Sequence, residues 1–132
     1  LQRREFVAMC LVRFDSTSGA AEIVNAGMPD PLLAGAAVRP VVCSGERLPL
    51  GAMRSARYES TTIAIAPGER LLLFSDGLCE ATVDGAPIGH ERVEEIAARA
   101  ADIDALIAEV RAIPKLQIED DVTVVELTRA AT

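Results

Sequence analysis

Residues 70–75, Arg-Leu-Leu-Leu-Phe-Ser, form a continuous apolar run of strand length that stops at Asp76-Gly77. Apolar and polar residues alternate along a strand when one face meets water, so an unbroken run suits a strand covered on both faces. Any fold open to this chain must therefore place material on two sides of that strand. The abrupt end in an acidic residue and a glycine marks the rim of a sheet. With 132 residues there is room for one domain, or one part of a larger domain, and residues 1–132 are read as a single unit.

Around this strand the pattern is mostly β. Residues 5–14 (EFVAMCLVRF) are apolar on both alternating faces, which predicts a second doubly covered strand in preference to a buried helix. Turn formers at 15–19 and a further strand at 22–26 complete a hairpin. Residues 38–43 predict a short strand that Pro40 pushes to an edge, residues 44–51 a loop, and residues 61–65 another strand. The period then changes. Val93, Ile96, Ala97 and Ala100 share one helical face, and Ile103, Leu106, Ile107 and Val110 repeat the spacing. With Asp102 as N-cap and Pro114 as stop, residues 89–113 predict two amphipathic helices, and 122–128 (VTVVELT) a last strand. Strands, two helices and one strand give an α+β fold, with helices packed on a largely antiparallel sheet.

Composition narrows the function. A net charge of -7 disfavours general binding to nucleic acid or to an anionic membrane surface. No apolar run approaches the length of a membrane span, and residues 1–5 lead into a strand with no signal-peptide core, so a soluble, cytoplasmic chain is expected. Cys10, Cys43 and Cys79 are odd in number, far apart and outside any metal-ligand spacing, which fits a reducing compartment and small core residues. The single histidine, His90, has no ligand partner at helical spacing and is expected to be exposed. Any chemistry therefore falls to carboxylates. Ser75, with no base available, is not a nucleophile.

Two places concentrate acid at predicted strand ends: Asp76-Gly77, and Glu119-Asp120-Asp121 before the last strand. If these two strands are antiparallel neighbours, the end of one and the start of the other share a rim, bringing Asp76 and Asp120 together. Two carboxylates at one rim repel unless a cation lies between them, and hard divalent ions such as Mg²⁺ or Mn²⁺ favour such oxygen ligands. Spacing alone leaves a plain turn and a solvated strand start as the alternative. Glu80 and Glu119 are read as surface residues, and Asp15, Asp30 and Asp84 as turn residues.

Four segments together carry more. Asn25-Ala26-Gly27-Met28-Pro29-Asp30-Pro31-Leu32-Leu33, Leu48-Pro49-Leu50-Gly51, residues 66–81 (APGERLLLFSDGLCEA) and Asp120-Asp121-Val122-Thr123-Val124-Val125 resemble the SpoIIE-type branch of the metal-dependent (PPM) serine/threonine protein phosphatases, in order and in spacing. The resemblance covers residues 6–127. It implies a four-layer antiparallel β-sandwich flanked by helices, incomplete in this chain, which would be the C-terminal part of the domain. It also implies two Mn²⁺ or Mg²⁺ ions at one rim, with Asp76 and Asp120 as ligands and Gly77 and Asp121 as their neighbours. A water activated by the ions would attack phosphorus, with no protein nucleophile. The implied substrate is a phosphorylated regulatory protein of the anti-anti-sigma-factor type in bacterial signalling.

Two departures stand beside this. Family members carry further aspartates in an N-terminal half, after which this chain starts, and Met28 stands where relatives commonly have histidine. The alternative is a catalytically inactive, phosphatase-like adaptor. Half of a two-sheet sandwich would also leave edges and an apolar face bare, from which a homodimer or an exchange of elements is expected.

Overall fold

The computed structural model describes residues 5–131. Strands β1 (Met9–Phe14) and β2 (Ala20–Ala26) form the expected hairpin, with Asp15 closing its turn by accepting from the Thr17 and Ser18 amides. Next come β3 (Leu32–Ala34), β4 (Val38–Pro40), β5 (Thr61–Ala64) and β6 (Arg70–Phe74). A single helical turn, α1 (Asp76–Cys79), and the short strands β7 (Thr82–Val83) and β8 (Ala86–Pro87) precede the helices α2 (Gly89–Arg99) and α3 (Ile103–Arg111). Strands β9 (Leu116–Gln117) and β10 (Val124–Thr128) follow.

Every strand pairing is antiparallel, in sheets of order β1-β2-β5, β10-β6-β3-β4 and a small β8-β7-β9. Pro40 sits on the edge strand β4, where its missing amide removes no ladder bond. The leucine run of β6 divides by parity. Leu71 and Leu73 pack toward the first sheet with Ile23, Ile65 and Val41, while Leu72 and Phe74 pack toward α2 and α3 with Val93, Ile96 and Leu106. The run is thus covered on both faces, as its composition requires. Asp102 caps α3 by accepting from the Ala105 amide at 2.8 Å. Arg70 ties the helices to the sheet, pairing with Glu126 at 3.0 Å and donating to the Ala100 carbonyl at the end of α2.

The expectation for residues 5–14 is corrected in one respect. Only alternate residues of β1 are covered: Cys10, Val12 and Phe14 pack on the sandwich core, whereas Met9 and Leu11 are 46% and 63% exposed. The reason lies in the layers, since among the described residues α2 and α3 cover the β6 sheet and no helix covers the outer face of the β1 sheet. Strands β1 and β10 are also the outermost strands of their sheets. Between them lies an apolar cleft of about 450 Å³ lined by residues such as Met9, Phe14, Leu73, Val125 and Leu127. No helix is long and apolar enough to cross a membrane among the described residues.

Candidate metal centre

The rim where β6 ends and β10 begins is fixed by main-chain pairing. Val124 lies opposite Phe74, and the next residue outward, Ser75, donates its amide to the Thr123 carbonyl at 2.9 Å. The Ser75 hydroxyl accepts from the Thr123 amide at 2.9 Å and donates to the Asp121 carbonyl at 3.2 Å. This serine therefore splices the two strands beyond their ladder, and Asp76 emerges directly against the Asp120-Asp121 segment.

Gly77 makes that approach feasible. It is buried in α1, and a Cβ in its place would collide with the Asp121 carbonyl oxygen and crowd that of Asp120. A glycine after the strand-end aspartate is thus a packing requirement. Asp120 accepts from the Asp121 amide at 2.7 Å through one carboxylate oxygen. Among the described residues no ion pair engages the carboxylates of Asp76, Asp120 or Asp121, and all three residues are exposed.

In kind, these donors match a hard divalent cation: carboxylate and carbonyl oxygens where β6 ends and the chain approaches β10, with no ion pair engaging the carboxylates among the described residues. In number they are few. Among the described residues no three His, Cys, Asp or Glu side chains converge as a ligand group.

Asp76 also lines an open cleft of about 600 Å³, whose other walls include Met28, Asp30, Arg47 and His90. His90 is exposed, as expected. The turn holding Met28 is pinned by Asn25, which is 2% exposed; its side chain accepts from the Met28 amide and donates to the Met28 carbonyl, both at 2.9 Å. Gly27 adopts a φ of 85° there and leaves no room for a Cβ against Pro49. The Asn-Ala-Gly segment is therefore a scaffold for the cleft wall, a role that spacing does not announce. Asp30 corrects an expectation: it serves no turn but pairs with Arg47 at 2.9 Å. Asp15 and Asp84 do sit in turns, Asp84 with a φ of 52° between β7 and β8. Glu119 accepts from the Thr82 hydroxyl on the surface. Burial pushes the Cys79 thiol, next to the site, above its ordinary pKa.

The model of the family described as Stage II sporulation protein E (SpoIIE) matches residues 1–130. The chain belongs to the SpoIIE family. Its fold is that of SpoIIE and PP2C phosphatase domains. The RsbU and RsbW domains of Rv1364c from Mycobacterium tuberculosis superpose with a TM-score of 0.79 at 28% identity, over 94% of this chain and 37% of that one. The Mn-presoaked phosphatase domain of SpoIIE from Bacillus subtilis gives 0.68 at 22% identity, over 95% and 57%. The SiaA-PP2C domain of Pseudomonas aeruginosa gives 0.70 at 18%, over 90% and 50%. This SpoIIE-family chain thus spans between about a third and three-fifths of the length of those chains. No curated protein matches it.

Proposed function

We propose that this chain is part of a cytoplasmic, metal-dependent protein phosphatase domain that removes phosphate from serine or threonine of a regulatory protein, of the anti-anti-sigma-factor type, in bacterial signalling. The observation that supports this reading is the splice of β6 to β10, which sets the main chain of residues 75–77 against Asp120-Asp121, with no ion pair to Asp76, Asp120 or Asp121 among the described residues. Asp76 and Asp120 would hold Mn²⁺ or Mg²⁺, with further ligands supplied from outside residues 5–131. Gly77 allows the close approach, and Asp121 orients Asp120 through its amide. When bound, such ions supply Lewis-acid activation of water and neutralise charge on the phosphoryl oxygens. The chain's own part is to hold the two carboxylates at one rim and to present the cleft that a phosphorylated segment enters. The open edges of β1 and β10 support a further element of the reading, association with a second copy or with more of the same domain.

The test is isothermal titration of Mn²⁺ into the full-length protein and its Asp76→Asn form, alongside hydrolysis of a phosphoserine protein. Binding and Mn²⁺-dependent hydrolysis that Asp76→Asn abolishes are expected. A second reading, an adaptor that has lost catalysis, is favoured by Met28, which puts an apolar side chain on the cleft wall. It predicts neither Mn²⁺ binding nor hydrolysis. Light scattering that finds only monomer at high concentration would remove the second copy from the reading.

A further inference from the structure

Among the described residues, the cleft that ends at Asp76 has one arginine in its wall. Arg47 donates through Nη1 to Asp30 Oδ1 at 2.9 Å, and the two side chains remain 44% and 27% exposed. Asp30 occupies one of the five N–H donors of the guanidinium and, among the described residues, is its hydrogen-bonding partner. Arg13 pairs with Glu22, Arg70 with Glu126 and Arg99 with Glu109, and Arg129 donates to the Ile65 carbonyl; what sets Arg47 apart from the other described arginines is its place in this cleft.

A structural role for the pair would be to hold the 44–51 loop, but that loop is already held. The Tyr58 hydroxyl donates to the Leu48 carbonyl at 2.7 Å, Glu46 accepts from the Arg57 amide at 2.9 Å, and Pro49 packs on Gly27. A half-exposed ion pair adds little to such a loop. What the pair does provide is a guanidinium fixed in direction, with donors to spare, in a depression shared with Asp76. A chain of net charge -7 repels an anionic substrate at long range, so a fixed cation beside the candidate metal rim has a recognisable use. Arginine's planar fork matches the oxygens of a phosphate monoester or a carboxylate.

We propose that Arg47, oriented by Asp30, is the oxyanion-recognition residue of this cleft, binding the phosphoryl group of the phosphorylated segment or a carboxylate next to it. The proposal deepens the phosphatase reading and rests on it for the identity of the substrate.

Its test uses the full-length protein with Arg47→Ala, Arg47→Lys and Asp30→Ala. Two readouts are taken: KM and kcat for a phosphoserine peptide and for p-nitrophenyl phosphate with Mn²⁺, and the affinity for inorganic phosphate by ³¹P NMR. Arg47→Ala is expected to raise both KM values and the phosphate Kd about tenfold or more, the scale of a lost hydrogen bond to a charged group, with little change in kcat. Arg47→Lys should recover part of the loss, and Asp30→Ala should give a smaller one. A KM raised for the peptide alone assigns the contact to a substrate carboxylate. Unchanged KM and Kd in Arg47→Ala overturn the proposal and leave the phosphatase reading standing. Phosphate binding that depends on Arg47 in a protein without hydrolysis overturns the reading and keeps the oxyanion site. Neither hydrolysis nor such binding overturns both.

Discussion

Strands β1 and β6 are written in nearly the same alphabet, yet one is covered on a single face and the other on two. Strand β6 lies between β10 and β3, with the first sheet on one side and α2 and α3 on the other. Strand β1 lies at an edge, and of its outward residues Leu11 is exposed while Met9, also exposed, reaches the rim of the apolar cleft. An apolar run therefore does not by itself report how many faces of a strand are covered.

The largest expected effect tests this contrast directly. Leu72→Ala, beneath the helices, should cost about 2–5 kcal/mol by urea denaturation, whereas Leu11→Ser should stay within about 0.5 kcal/mol. Equal losses would break the comparison, because they would mean that the outer face of β1 is covered in solution. Next comes Gly77→Ala at the end of β6. The added methyl meets main-chain oxygen that cannot swing aside, so a loss of about 1–3 kcal/mol is expected, with chemical-shift changes in the amides of 120–123. A neutral result would show that the rim is slacker than the strand it terminates.

Asp102→Ala removes the cap of α3, the helix that helps cover β6, and should lower stability by about 1 kcal/mol in the same denaturation experiment. The smallest effect belongs to the covered face of β1. Burial, with Cys43 nearby, raises the Cys10 thiol from 9.0 to about 11. A raised thiol pKa stabilises the fold fully below pH 9 and loses that contribution between about pH 9 and 11. Slow reaction of the folded protein with a thiol reagent at pH 8, becoming fast on unfolding, would place Cys10 on the inner face; fast reaction throughout would not.

The parts of the fold legible in the sequence are those where one physical signal has one outcome. The leucine run of β6, the two helical stripes and the cap at Asp102 each correspond to an observed element. The expectation about Asp76 and Asp120 rested on β6 and β10 being antiparallel neighbours, and the register shows that strand pairing. Strand β3 was hidden because three residues between Pro31 and Gly35 are too few to show a period. Strands β7, β8 and β9 are two residues each and escape for the same reason. The Asp30–Arg47 pair joins residues 17 positions apart across loops, where no periodic pattern links them. The bare face of β1 was illegible because apolar residues on an exposed face and those under a cover look alike in sequence.

Ser75 has a consequence for how the rim comes into being. Its hydroxyl bonds to a carbonyl 46 positions later, and the intervening chain includes both long helices. The rim is therefore a clasp, present only while the last strand is paired with β6. Any group that grips both sides of the clasp resists the unfastening of that whole layer. Occupancy at one corner of the molecule should then be readable as slowed amide exchange in α2 and α3, although neither helix is part of the clasp.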